Sequence, residues 1–94
     1  MPIRIFSSYS VANFQAKVDV SLRSSVLDPA GEATKSAAIK LGIKGLKKLR
    51  IGKSIDIEIE ASNEREAKQQ VERLSDRLLA NPVIEDWSLE LKPL

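Results

Sequence analysis

Apolar and polar residues alternate along Leu46 to Glu60, LKKLRIGKSIDIEIE, with one hole. Leu49, Ile51, Ile55, Ile57 and Ile59 share one parity, and Lys48, Arg50, Asp56, Glu58 and Glu60 share the other. A period of two predicts pleated strand with one dry and one wet face. The pattern breaks at Gly52-Lys53-Ser54, where a lysine takes the apolar parity and a basic half gives way to an acidic half. The same period runs through Phe14, Ala16, Val18, Val20 and Leu22, set against Gln15, Lys17, Asp19 and Ser21, and predicts a strand over 14–22. Asp28 followed by Pro29 opens a helix that carries Ala30, Ala33, Ala37 and Leu41 on one side and is capped by Gly42. That stripe of small residues predicts close approach to a sheet. A second helix is expected over 62–80, with Asn63 and Glu66 as a capping box, Ala67, Val71, Leu74 and Leu78 as its apolar stripe, and Asn81-Pro82 as its stop. The last strand is expected over 83–91, its phase mixed near Glu85. Ile3, Ile5 and Phe6 fit a short edge strand at most, so residues 1–13 read as an N-terminal extension and 14–94 as one domain.

The central stretch has mirror symmetry. Reflected antiparallel about Lys53, Ile51 faces Ile55, Leu49 faces Ile57, Arg50 faces Asp56 and Lys48 faces Glu58. Each opposed pair is apolar with apolar or base with acid, worth roughly 0.2–1 kcal/mol. A two-residue turn at Gly52-Lys53 slips the register by one and sets Leu49 against Asp56, so it is rejected. Two geometries satisfy the favoured register: a hairpin with a three-residue loop, or one long kinked strand that pairs with the same stretch of a second copy. The sequence leaves the choice open. The element order is then strand, helix, strand, strand, helix, strand. This is the ferredoxin-like, split βαβ pattern of an α+β domain, a mainly antiparallel sheet with both helices on one face. With a long kinked or exchanged central strand, the same sheet is built by a dimer.

Composition narrows the chemistry. The 94 residues include no Cys and no His, which removes a disulfide framework, a thiol nucleophile, and the commonest general base and metal ligand. There is no P-loop, no GxGxxG and no signal peptide, and no apolar run is long enough to span a membrane. Glu85 and Asp86 point to opposite faces of a strand and make a poor acid/base pair. Gly42-Ile43-Lys44-Gly45 is a GxxG, but it joins a helix to a strand and Gly42 is explained as a cap, so a KH-type loop is set aside. Net charge is +2, yet from Lys35 to Lys53 every charged residue is basic. Strand pairing and a solvated face account for most of that run; an electrostatic footprint for RNA or for an acidic protein surface is the sharper alternative, the RNA reading weakened by the few aromatics. Lys53, on the dry parity beside Gly52, reads as a side chain whose stem packs while its ammonium reaches solvent, ahead of a desolvated functional lysine.

Three segments in order, SVLDPAG at 25–31 after a strand ending VSLR, RIGK at 50–53, and LLANPVIEDW at 78–87, resemble the PurS subunit of phosphoribosylformylglycinamidine (FGAM) synthase. The resemblance covers about Phe14 to Leu91; residues 1–13 lie outside it, and LGIKGLKKLRIGK is more basic than the family suggests. It implies a non-catalytic, cytoplasmic small subunit in de novo purine biosynthesis. Such a subunit is a homodimer that bridges a PurL-like synthetase and a PurQ-like glutaminase and assists ammonia transfer. No cofactor is implied in this chain; ATP and Mg are expected in the synthetase partner, and no nucleic acid or membrane partner is implied. The motif residues Asp28, Pro29, Gly31, Arg50, Gly52, Lys53, Asn81 and Asp86 become the candidates for touching partners or shaping the adaptor. Caps and stops already account for Asp28, Pro29, Gly31 and Asn81, which leaves Arg50 and Lys53 as the stronger contact candidates. A ferredoxin-like regulatory module for a small molecule is the remaining alternative, on fold analogy.

Overall fold

The computed structural model describes residues 11–94. The edge strand weighed for Ile3, Ile5 and Phe6 therefore lies outside the described residues. Strand β1 (Ala12–Leu22) is the centre of a three-stranded antiparallel sheet, with β2 (Lys53–Ala61) on one side and β3 (Glu85–Pro93) on the other. It begins two residues before the predicted start. Its alternation places Phe14, Ala16, Val18 and Val20 in the core, all at most 5% exposed. The register joins these to the apolar parity of both neighbours: Val18 lies between Ile55 and Leu89, and Ala16 between Ile57 and Leu91. On the wet face Lys17 lies between Asp56 and Glu90, and Gln15 between Glu58 and Lys92. Asp56 of β2 and Glu90 of β3 thus both face the one base on this stretch of β1, as opposite charges on facing strands should.

That register excludes the hairpin. Within the chain Asp56 faces Lys17 and not Arg50, and no strand is formed from Lys44 to Gly52. β1 offers β2 the apolar match that the hairpin promised, and the basic half is drawn elsewhere. The Ile51 N–H donates to Asp28 Oδ2 at 2.8 Å, and Lys35 Nζ donates to the Lys47 carbonyl at 2.9 Å. Residues 46–51 form an arm alongside helix α1 (Pro29–Lys40).

Helix α1 starts as expected, with Asp28 Oδ1 accepting from the Gly31 N–H at 3.0 Å and Pro29 in the first turn. It ends in a Schellman motif: the Ile43 N–H donates to the Ala38 carbonyl, the Gly42 N–H donates to Ile39, and Gly42 has φ of 92°. The small-residue stripe does not approach the sheet within one chain. Ala30, Ala33, Ala37 and Leu41 are exposed, and Gly31 is the helix's only buried residue. Helix and arm project from the sheet, so the Cα radius of gyration is 19.5 Å, where about 12 Å is expected of a compact chain this long.

Helix α2 (Glu64–Leu74) alone covers the sheet. Asn63 Oδ1 accepts from the Glu66 N–H at 2.8 Å; the returning bond of the capping box goes one residue further back, from the Ser62 N–H to Glu66 Oε1. The Ser62 N–H, joined by the Ser62 hydroxyl on Oε2, holds the Glu66 carboxyl below its usual range. The helix then widens into a π-helical turn, Ser75–Leu79, closed by the Ala80 N–H on the Ser75 carbonyl. The wider turn rotates the stripe. Ala67 and Val71 are buried as predicted, but Ser75 and Leu79 turn inward where Leu78 was expected, and Leu78 is 75% exposed. Ser75 is fully buried because its hydroxyl donates to the Val71 carbonyl at 2.7 Å. The last strand begins at Glu85 because Asn81–Glu85 is a turn, which accounts for the mixed phase at Val83 and Ile84.

Candidate functional site

Where β1 leaves the sheet, the chain makes a joint from residues far apart in sequence. Asp28 is its centre. One carboxylate oxygen caps α1 through Gly31, and the other accepts the Ile51 N–H, fastening the arm to the helix start. The side chain is 5% exposed with no unmet acceptor. The Ile51 and Gly31 N–H groups, aided by the Arg50 charge, hold this carboxyl below its usual pKa against the opposing pull of burial.

Two glycines permit the joint by close approach and not by an unusual φ. A Cβ on Gly31 would lie 2.6 Å from the Leu49 carbonyl oxygen, and one on Gly52 would lie 2.7 Å from that of Val20. Any side chain at either place would push the arm off the helix or off β1.

Arg23 ties the other side. Its N–H donates to the Ile84 carbonyl at 2.8 Å, its guanidinium donates to the Pro82 carbonyl at 2.6 Å, and it pairs with Asp86 at 3.4 Å. The Arg23 carbonyl in turn accepts from Arg50 Nη2 at 2.9 Å. Asn81 shapes the turn that presents those carbonyls: its side chain accepts from the Val83 N–H at 3.0 Å, and its own N–H donates to Glu85 Oε1 at 2.7 Å. A cleft of about 360 Å³ opens between the two sides, lined by Ser21, Ser24, Lys48, Arg50, Gly52 and Asp86.

Five of the eight candidates, Asp28, Pro29, Gly31, Arg50 and Gly52, therefore meet in one joint. Asp86 faces them across the cleft, and Asn81 builds the neighbouring turn. Lys53 opens β2 opposite Val20 and is exposed. The residue that sequence reasoning missed is Arg23. Its signal was its place at the end of VSLR, directly after the one strand whose alternation has no flaw. The arrangement fixes backbone to backbone; its carboxylate and guanidinium groups are consumed in holding segments together.

Strand order β2-β1-β3 with a helix packed on one face and an unpaired arm defines an incomplete ferredoxin-like α+β domain. The family model described as PurS, phosphoribosylformylglycinamidine (FGAM) synthase, matches residues 15–93. The chain belongs to the PurS family, the small subunits of FGAM synthase in purine biosynthesis. It is 43% identical over 93 residues to the PurS subunit of Synechocystis, covering 99% of this chain and 90% of that one. That alignment takes in nearly all of the N-terminal extension. Among solved structures, Methanocaldococcus jannaschii PurS matches with a TM-score of 0.77 at 36% identity, over 86% of this chain and 98% of the other. A chain of the Thermotoga maritima PurLQS structure matches with a TM-score of 0.76 at 39% identity, over 87% and 98%. The RNA-binding and small-molecule readings gain nothing from these relatives. No helix among the described residues is long and apolar enough to cross a membrane.

Proposed function

We propose that this chain is a non-catalytic, dimeric adaptor of a cytoplasmic FGAM synthase, holding a PurL-like synthetase against a PurQ-like glutaminase. The observation that carries it is the match to a chain of the Thermotoga PurLQS structure over nearly the full length of both. ATP and Mg serve the synthetase partner. Ammonia released by the glutaminase must reach the synthetase as the free base, and a rigid adaptor helps by keeping water from the joint between them.

Two surfaces left open among the described residues support the dimer. β2 is an edge strand, with a row of backbone groups facing away from β1. The arm 46–51 is extended beside α1, and Leu27, Ile39, Leu41, Ile43 and Ile51 are all at least 46% exposed. An arm from a second copy, laid on β2 in the register reflected about Lys53, sets Arg50 against the partner's Asp56 and Leu49 against the partner's Ile57. The sheet order becomes arm, β2, β1, β3, which is the four-stranded ferredoxin-like sheet, and the partner's α1 arrives as its second helix.

Reconstitution tests the adaptor. With glutamine as nitrogen donor, product formed per glutamine hydrolysed should rise when this chain is added to synthetase and glutaminase, while ammonia-driven synthesis by the synthetase alone should not change. Equal coupling with and without the chain would sink the reading.

A further inference from the structure

Residues 28–51 are fastened into one body. Asp28 caps α1 through the Gly31 N–H and also accepts the Ile51 N–H, Lys35 Nζ donates to the Lys47 carbonyl, and the Leu49 carbonyl lies where a Cβ on Gly31 would stand. The chain's own sheet has a place for this body. β2 has no strand on its outer side among the described residues, and α1 leaves Ala30, Ala33 and Ala37 exposed. In the register reflected about Lys53, the arm meets the same residues there as on a second copy: Asp56 for Arg50 and Ile57 for Leu49. The pairing chemistry is equal for a closed monomer and an exchanged dimer, so the connection from arm to β2 decides between them.

That connection is too short to close. A hairpin in this register needs Gly52, Lys53 and Ser54 in its loop, but Lys53 and Ser54 are strand residues of β2, opposite Val20 and Asp19 on β1. Gly52 alone remains, and it is pressed on β1: a Cβ there would lie 2.7 Å from the Val20 carbonyl oxygen. One residue cannot reverse the chain, since the tightest hairpins use two. Closing therefore breaks the Lys53 and Ser54 pairs with β1, whereas laying the arm on a second copy breaks neither. The Arg50 guanidinium adds to the hold, donating to the Arg23 carbonyl at 2.9 Å. The body's other connection, Ser24 to Leu27, is irregular throughout and has the slack that Gly52 lacks. We infer that the one-residue hinge at Gly52 commits this chain to exchange, and that the same sequence with a longer hinge closes on its own sheet as a monomer. Short, constrained hinges act this way in other exchanged folds. The inference rests on the dimer proposed above and names what selects it.

The test lengthens the hinge in the full chain. Gly-Asn-Gly inserted between Gly52 and Lys53 lets Gly52 pair with Ser54 and the first inserted glycine pair with Lys53, closed by a two-residue Asn-Gly turn. β2 then keeps all its pairs with β1. With equal contacts in the two forms, the balance is set by the arm's effective concentration at its own β2, on the order of 1 mM for a short connection. At about 10 µM protein this favours the monomer about 100-fold. A single glycine inserted at the same place loosens the hinge without completing a turn, and that variant should stay dimeric. Sedimentation equilibrium gives the masses, and the far-ultraviolet spectrum of both variants should match wild type. A three-residue insertion that leaves the dimer constant unchanged, or that loses the folded spectrum, overturns the hinge as selector. A monomer from the single insertion overturns it as well, because the length of the turn would then not matter. A wild-type chain that is itself monomeric sinks the dimer, and with it the adaptor in the form proposed above.

Discussion

Asp28 shows how one side chain replaces two kinds of chain connectivity. It closes the start of α1 as a cap and also holds an arm residue 23 positions away. Only the first of these roles is written in the local sequence, where Asp-Pro is a helix-start signal; the second depends on a backbone N–H that any residue at position 51 would supply. Gly31 is the same case: its need comes from the Leu49 carbonyl, which no local pattern announces. The carboxyl's lowered pKa has a consequence in acid. A group whose folded pKa lies below its unfolded value contributes stability that is fully present above the unfolded value, 3.8 here, and lost as pH falls through the folded one. Asp28→Asn keeps an acceptor for Gly31 but can set its amide N–H₂ against the Ile51 N–H. It should melt lower than wild type at neutral pH, with the difference shrinking as pH falls below 3.8. Melts at fixed protein concentration across that range measure it; two curves that stay parallel would show that Asp28 is not a source of the acid loss. Glu66 is lowered as well, so wild type and variant both keep some acid sensitivity.

At the scale of elements, the legible parts are those whose signal is local. The alternation of β1, the Asp28-Pro29 start, the Gly42 stop and the Asn63 cap each rest on neighbours within one turn or one strand. The second half of the second helix was not legible, because a π-helical turn adds a residue to the period without changing composition. A 3.6-residue count carried past Val71 puts Leu78 inside, whereas the structure puts Leu79 there, packed against the core of Val18 and Val71. The two leucines are adjacent and identical in chemistry, so they report on the turn directly. Leu79→Ala should cost about 2 kcal/mol, the lower end for a leucine truncated in a partly covered site. Leu78→Ala should stay within about 0.5 kcal/mol, as exposed substitutions do. Urea unfolding of both variants at one protein concentration decides it. The opposite ranking would mean that the α-helical phase runs on unbroken.

At the scale of the molecule, the mirror about Lys53 is not satisfied within one chain, where Asp56 faces Lys17. Periodicity gives the faces of 46–51 and 53–61 and their complementary charges, but it carries no information on whether the pairing is within or between chains. The chain decides against itself. β2 is already matched by β1, and Asp28 and Lys35 hold the arm alongside α1, pointing away from the sheet it came from. A charge swap separates exchange from mere crowding. In the reflected register each Arg50 meets the partner's Asp56, so the pair occurs twice in a symmetric dimer. Arg50→Asp or Asp56→Arg alone sets like charges face to face at both places, and the dimer constant should weaken by about 5–30-fold, corresponding to roughly 1–2 kcal/mol over the two pairs. Arg50→Asp combined with Asp56→Arg restores opposite charges and should recover most of that loss, although the double variant still lacks the bond from Arg50 to the Arg23 carbonyl. Arg50→Gln, which lacks the charge but creates no repulsion, gives the level at which the ion pair is absent and the bond to Arg23 is weakened or lost. Sedimentation equilibrium on the wild type and the four variants gives the coupling directly. Recovery in the double variant beyond the Arg50→Gln level requires the two side chains to meet across copies, since within one chain Asp56 faces Lys17. Additive losses would place Arg50 and Asp56 apart in the dimer and leave the arm without its strand.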